Sequence, residues 1–275
     1  LKNKGDVILL FQLISKISDN HHQSADFYDK LEKIFRYLIN DTPSFISNFI
    51  PDYSKFNKRI LFFLLEKKLI KPDKSFLKQY LCDKHQSFYY LYPKMKEFLE
   101  EEKQKQMLIE IQQKYNEDIS TFEDKCKIGE NDLYICSLIR SDSIEKFVSY
   151  VNRTNLSLST KIKPSIYETN LFLIDKEPTL IEYAAFFGSI QIIQYLKYNK
   201  VPLTFSLWFY AIHSNSPDLI HFLEENGVKP EKNTQKIYQG LNFDLNYESI
   251  DVVLIESIKC HHNSISNYIK DNLYE

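Results

Sequence analysis

Adjacent histidines and scattered cysteines are the residues of this sequence whose chemistry invites a first look. His21 and His22 form one pair, and Cys260, His261 and His262 form a run of three. Imidazole and thiolate are the usual ligands of zinc. Neighbouring residues on a helix point about 100° apart, however, so an HH pair holds an ion only with donors brought from elsewhere. The pattern predicts no metal site. Cys82, Cys126, Cys136 and Cys260 show no CxxC spacing and no dense disulfide framework, as free thiols in a reducing cytoplasm would. A Cys–His nucleophile can draw on partners distant in sequence, but nothing beside any cysteine marks it as activated. Glu100, Glu101 and Glu102 read as a solvated helix face rather than an acid/base pair. Asn152 with Thr154 completes a glycosylation pattern that has no meaning in a cytoplasmic chain. The expectation is a non-enzyme without cofactor, metal or small-molecule substrate.

Composition narrows the class. The 275 residues are 43% hydrophobic and 26% charged, which suits one large or two modest folded domains. Only 5 glycines argue against a phosphate-cradling loop and against a β-protein rich in tight turns. Residues 1–100 carry 17 Lys/Arg against 12 Asp/Glu, a balance of +5, and the remainder 18 against 25, a balance of −7. Neither is the basic footprint of a nucleic-acid binder. The longest apolar run, Ile60 to Leu65, is closed by Glu66, Lys67 and Lys68, so no membrane span is expected. The apolar stretch Val7–Leu13 is too short for a signal peptide, and the opening Leu1 predicts a piece of a longer protein.

The elements that must position these residues are helices. Phe27, Leu31, Ile34, Phe35 and Leu38 make one stripe of helical period. Phe56, Ile60, Phe63 and Leu64 repeat it inside a fuller apolar stretch, which predicts a helix buried on most sides. Met107, Ile111, Tyr115, Ile119 and Phe122 trace a narrower stripe along Glu97–Lys127, read as one long helix with a single buried face. β-Alternation is missing throughout. The nine prolines, Pro93 among them, are taken as breakers between short helices. Arg153–Lys163 and Val228–Asn233 lack the period and are read as loops.

An internal match organises the second half. Leu180–Ala184 aligns with Leu207–Ala211, and Ile192–Leu196 aligns with Leu219–Leu223, both at an offset of 27 residues. Each copy holds two short helices around a break, Gly188-Ser189 or Asn215-Ser216. Such a unit cannot bury its apolar face alone and must stack on its neighbours. Weaker copies flank the two. Leu133–Val151 matches at 45 residues, with a one-residue shift in its first helix, and Val253–Ile269 at 46. Thr179 with Glu182 three residues later predicts a capping box.

The run Thr179–Leu196, TLIEYAAFFGSIQIIQYL, resembles an ankyrin repeat, matching TPLHxAAxxGHxxVVxxLL without a gap. His261 and His262 fall where that pattern places its Gly-His turn, and Lys200 where it ends the second helix with Gly. The chain as a whole is similar to the large ankyrin-repeat proteins of trichomonad protists. The similarity rests on ISDNHHQS at 17–24, NKRILFFL at 57–64, KPSIYETN at 163–170 and SLWFYAIH at 206–213. The resemblance implies an all-α solenoid: a helical region over 1–128, then ankyrin-like repeats over 129–275, with helix pairs near 131–152, 179–200, 206–227 and 250–273. It also implies further repeats beyond residue 275, and a cytoplasmic protein–protein interaction or scaffold module. In ankyrin repeats the variable first-helix positions face a concave groove, which carries over to Tyr183, Phe186, Phe187, Tyr210 and His213 as protein-binding residues; the alternative is that these side chains pack within the molecule, covered by the N-terminal helices or a loop. The alternatives are a structural segment without a partner of its own, or a nucleic-acid-binding solenoid resting on the +5 of the first hundred residues.

Overall fold

The computed structural model describes residues 9, 10, 13, 14, 16, 17, 27–41, 57–72, 74, 76, 77, 86–174, 176–229 and 252–273. His21, His22, Phe56 and Cys82 lie outside the described residues, as do Pro230 to Asn233 of the second expected loop. Among the described residues every regular element is helical. The one β-type contact among them is an isolated antiparallel bridge between Lys161 and Thr179. No helix among them is long and apolar enough to cross a membrane.

The chain divides into two compact units, residues 1–132 with 164–176, and residues 133–163 with 177–275. The boundary thus falls a few residues later than position 128, and a segment from beyond it folds back into the first unit.

The first unit contains α1 (Phe27–Asp41), α2 (Lys58–Glu66), α3 (Gln86–Met95), α4 (Glu101–Tyr115) and α5 (Ile119–Ile128). Helix α2 starts where the Asn57 side chain accepts from the Ile60 amide at 2.9 Å, and buries Ile60 through Leu65. It packs against α3 and α5, and Tyr90 of α3 donates to the Cys126 carbonyl at 2.5 Å. Pro93 sits inside α3, which runs two residues further before a 3-10 turn over Lys96–Phe98, so this proline does not end its helix.

The single helix expected over Glu97–Lys127 is two. Asn116 turns left-handed at φ 55° and ends α4. Asp118 then caps α5, its carboxylate accepting from the Ser120 and Thr121 amides at 2.9 and 3.0 Å. Asx residues favour these two roles. The buried stripe survives the break, with Met107, Ile111 and Phe122 all in the core.

The loop expected over Arg153–Lys163 starts two residues later, Arg153 and Thr154 still being helical, and runs further, because no helix starts among the described residues between Asn155 and Thr179. Its part over 164–176 is pinned to the first unit by polar bonds. Thr169 donates from its amide and hydroxyl to the Gly129 carbonyl at 3.1 and 2.7 Å. The buried Glu168 carboxylate accepts from the Asn131 and Asn170 amides at 3.3 and 2.9 Å. Burial raises the Glu168 carboxyl above its usual range against the pull of these two amides.

Among the described residues the second unit holds four helix pairs: α6 (Tyr134–Arg140) with α7 (Ile144–Thr154), α8 (Leu180–Phe187) with α9 (Ile190–Tyr198), α10 (Leu207–Ser214) with α11 (Pro217–Glu225), and α12 (Val252–Lys259) with α13 (Asn263–Asn272). The first helices α6, α8, α10 and α12 pack side by side in chain order. Every turn within a pair is built on one left-handed residue, Asp142, Gly188, Asn215 or His261, at φ 45°, 70°, 52° and 56°. The second helices of the first three pairs are also followed by such a residue, at Asn155, Lys200 and Gly227. The one-residue shift expected in the first helix of the first pair is found instead in the second, α7, since Asp142 and Asn155 are one residue further apart than Gly188 and Lys200.

Polar contacts join consecutive pairs. Asp142 accepts from the Gln191 and Ile192 amides, both at 3.1 Å, so one turn caps the next pair's second helix. The Thr179–Glu182 capping box is formed, and Glu182 also accepts from the Ser206 hydroxyl at 2.7 Å.

Candidate functional site

Tight stacking of the first helices decides where the five expected groove residues go. Tyr183 is 1% exposed, Phe186 0%, Tyr210 8% and His213 4%, while Phe187 is half-buried. The expected accessible groove therefore does not exist at four of the five positions. Its place is taken by side chains of neighbouring first helices. Arg140 of α6 donates to the Tyr183 hydroxyl at 2.9 Å, and Tyr183 packs on Phe187 with ring centres 4.8 Å apart. Phe186 meets Phe187 edge-on at 5.0 Å and stacks on the His213 imidazole at 5.1 Å. Burial pushes the Tyr210 phenol well above its ordinary value, with the Glu182 charge adding to it.

Beyond His213 the structure assembles a polar cluster that sequence reading missed. His213 leaves α10 toward α12, where Glu256 and Cys260 stand one helical turn apart and so face the same way. The imidazole lies between them. Nε2 is 3.1 Å from Glu256 Oε1, and Nδ1 is 3.5 Å from Cys260 Sγ. All three residues are buried, and one ligand atom from each lies within 4.8 Å of the others.

Burial opposes ionisation of Glu256, but the hydrogen bond from His213, with Lys259 at 3.5 Å, holds its carboxyl below the usual range. An ionised Glu256 accepts from Nε2–H, which leaves Nδ1 to accept from the Cys260 thiol. Thiol, imidazole and carboxylate thus stand in the order of a nucleophilic relay. Two facts argue against attack on a substrate: the Cys260 side chain is 0% exposed, and burial, aided by the Glu256 charge, pushes its thiol up. An activated cysteine is shifted the other way.

The remaining sequence candidates have plain positions. His261 is the left-handed, exposed residue of the last inter-helix turn. Glu100, Glu101 and Glu102 are exposed at the start of α4. Cys126, Cys136 and Cys260 carry buried thiols outside any disulfide.

An open groove lies on the second-helix side, lined by Gln194, Lys197, Tyr198 and Lys200 at the end of α9 and by Phe222 of α11. Tyr198 is 83% exposed, more than any other large hydrophobic side chain described. The Lys197 ammonium sits 5.4 Å from the centre of the Phe222 ring and donates to the Asn226 side chain.

Comparison with protein families, with curated proteins and with solved structures finds no match to this chain.

Proposed function

We propose that this chain is a non-catalytic protein-binding module of ankyrin type, working in the cytoplasm as a scaffold of stacked helix pairs. The supporting observation is the groove formed by the end of α9 and Phe222 of α11, where Tyr198 stands almost wholly in solvent and Lys197 and Lys200 share the lining. Tyrosine offers a large, rigid contact area at low entropic cost, and such residues dominate protein interfaces once a partner desolvates them. Lys197 and Lys200 favour a partner segment that carries acidic side chains. The aromatic first-helix stripe, being buried, serves the stack itself and moves the proposed interface to the second-helix side.

The test is a quantitative pull-down comparing the native chain with Tyr198→Ala and with Lys200→Glu. A partner set recovered by the native chain and lost by both variants, at unchanged circular dichroism, supports the reading. Equal recovery by all three removes the groove from it.

A further inference from the structure

We infer that His213, Glu256 and Cys260 form a binding site for a zinc-class divalent ion that ties the last helix pair to the one before it. The donors are those zinc prefers: a thiolate, an imidazole and a carboxylate. Glu256 on the last turn of α12 and Cys260 just past its end are joined by the Cys260 amide bonding the Glu256 carbonyl at 3.0 Å, and His213 comes from the adjacent first helix, so the backbone already brings all three together.

The spacing fits. Zinc bonds of about 2.3 Å to sulfur and about 2.0 Å to nitrogen, at a tetrahedral angle, place those two donors about 3.5 Å apart. Cys260 Sγ and His213 Nδ1 stand 3.5 Å apart. Glu256 Oε1 bonds Nε2, the ring nitrogen that does not face Cys260, so it joins an ion held at Nδ1 by giving up that bond and turning toward the sulfur; one ligand atom from each of the three residues already lies within 4.8 Å of the others.

Charge balance points the same way. A doubly charged ion with one thiolate, one carboxylate and a neutral imidazole is neutral overall, the condition under which a charged group is tolerated inside a protein. On binding, the Cys260 S–H bond breaks, a metal–sulfur bond forms, and one proton leaves to solvent. Surrounding groups hold the donors in place. Phe186 stacks on the imidazole, and Lys259 stays within 3.5 Å of the second Glu256 oxygen. Three protein donors leave a fourth position for water.

The experiment titrates the metal-stripped full chain, kept reduced, with Co2+. The expected result is a thiolate-to-cobalt charge-transfer band that saturates near one equivalent, releases one proton per ion, and is displaced by Zn2+. Cys260→Ser should abolish the band, and Glu256→Gln should weaken the affinity at least tenfold while keeping the band. Emission of the single tryptophan, Trp208 of α10, reports whether each variant is folded in this unit. Absence of a band in the native chain overturns the inference. So does a band of undiminished strength in folded Cys260→Ser, or an affinity unchanged in folded Glu256→Gln.

Discussion

Removing the Phe186 ring tests whether the first-helix aromatics are core or interface. The side chain is fully buried, and it meets the Phe187 ring at 5.0 Å and the His213 ring at 5.1 Å. Truncating a buried phenylalanine to alanine costs about 3–5 kcal/mol, and two ring contacts place this site at about 4 kcal/mol. Phe187, half-buried, should cost about half as much as its neighbour. Because the chain has two units, one unfolding free energy for the whole molecule is not defined. The single tryptophan resolves the difficulty. Trp208 is fully buried in the second unit, with its indole N–H bonded to the Val228 carbonyl at 2.8 Å, so its emission follows that unit alone. With a urea slope of about 2 kcal/mol per molar, Phe186→Ala should lower the tryptophan midpoint by roughly 2 M. A shift below about 0.5 M would refute the packing argument and return this face to the partner.

Three further outcomes follow from the same packing and charge. Ala184 is fully buried on α8, so Ala184→Leu should overpack the stack and lower stability by about 1–3 kcal/mol, read from the same tryptophan midpoint. Lys200 is held left-handed at φ 67°, where a side chain costs about 1 kcal/mol, so Lys200→Gly should raise the midpoint, and a fall would contradict the strain. Glu256 has its carboxyl lowered in the folded state, so its contribution is complete above the ordinary carboxylate range and lost as pH falls through the lowered folded value. In urea melts run in chelator from pH 7 down to about pH 3, Glu256→Gln should therefore flatten the acid decline of the second unit, and an unchanged slope would show that the pair with His213 contributes nothing.

What was legible in the sequence was whatever local chemistry controls. The 27-residue offset reappears as the spacing of two left-handed turns, Gly188 and Asn215, because only residues tolerant of positive φ serve there, and the Thr179–Glu182 box forms because its partners are three residues apart. Lys200 escaped a sequence reading of strain, since its conformation follows from its position in the repeat and not from its type. The break at Asn116 was hidden by a continuous apolar stripe, although Asn116 followed by Asp118 spells a left-handed stop and a fresh cap.

The buried cluster was illegible for a different reason. Adjacent-residue logic looked at His261 and His262, whereas the working spacing is Glu256 and Cys260 one turn apart. The third member, His213, stands 43 and 47 residues away from them. A signal was nevertheless present. Asn215 and His261 mark equivalent turns 46 residues apart, and the same offset sets His213 opposite Lys259. Stacked neighbours then bring its ring to the residues three before and one after that lysine, which are Glu256 and Cys260. A repeat offset therefore predicts contacts across the stack as well as similarity along it, and polar residues at those cross-stack positions are where chemistry concealed in a repeat array should be sought.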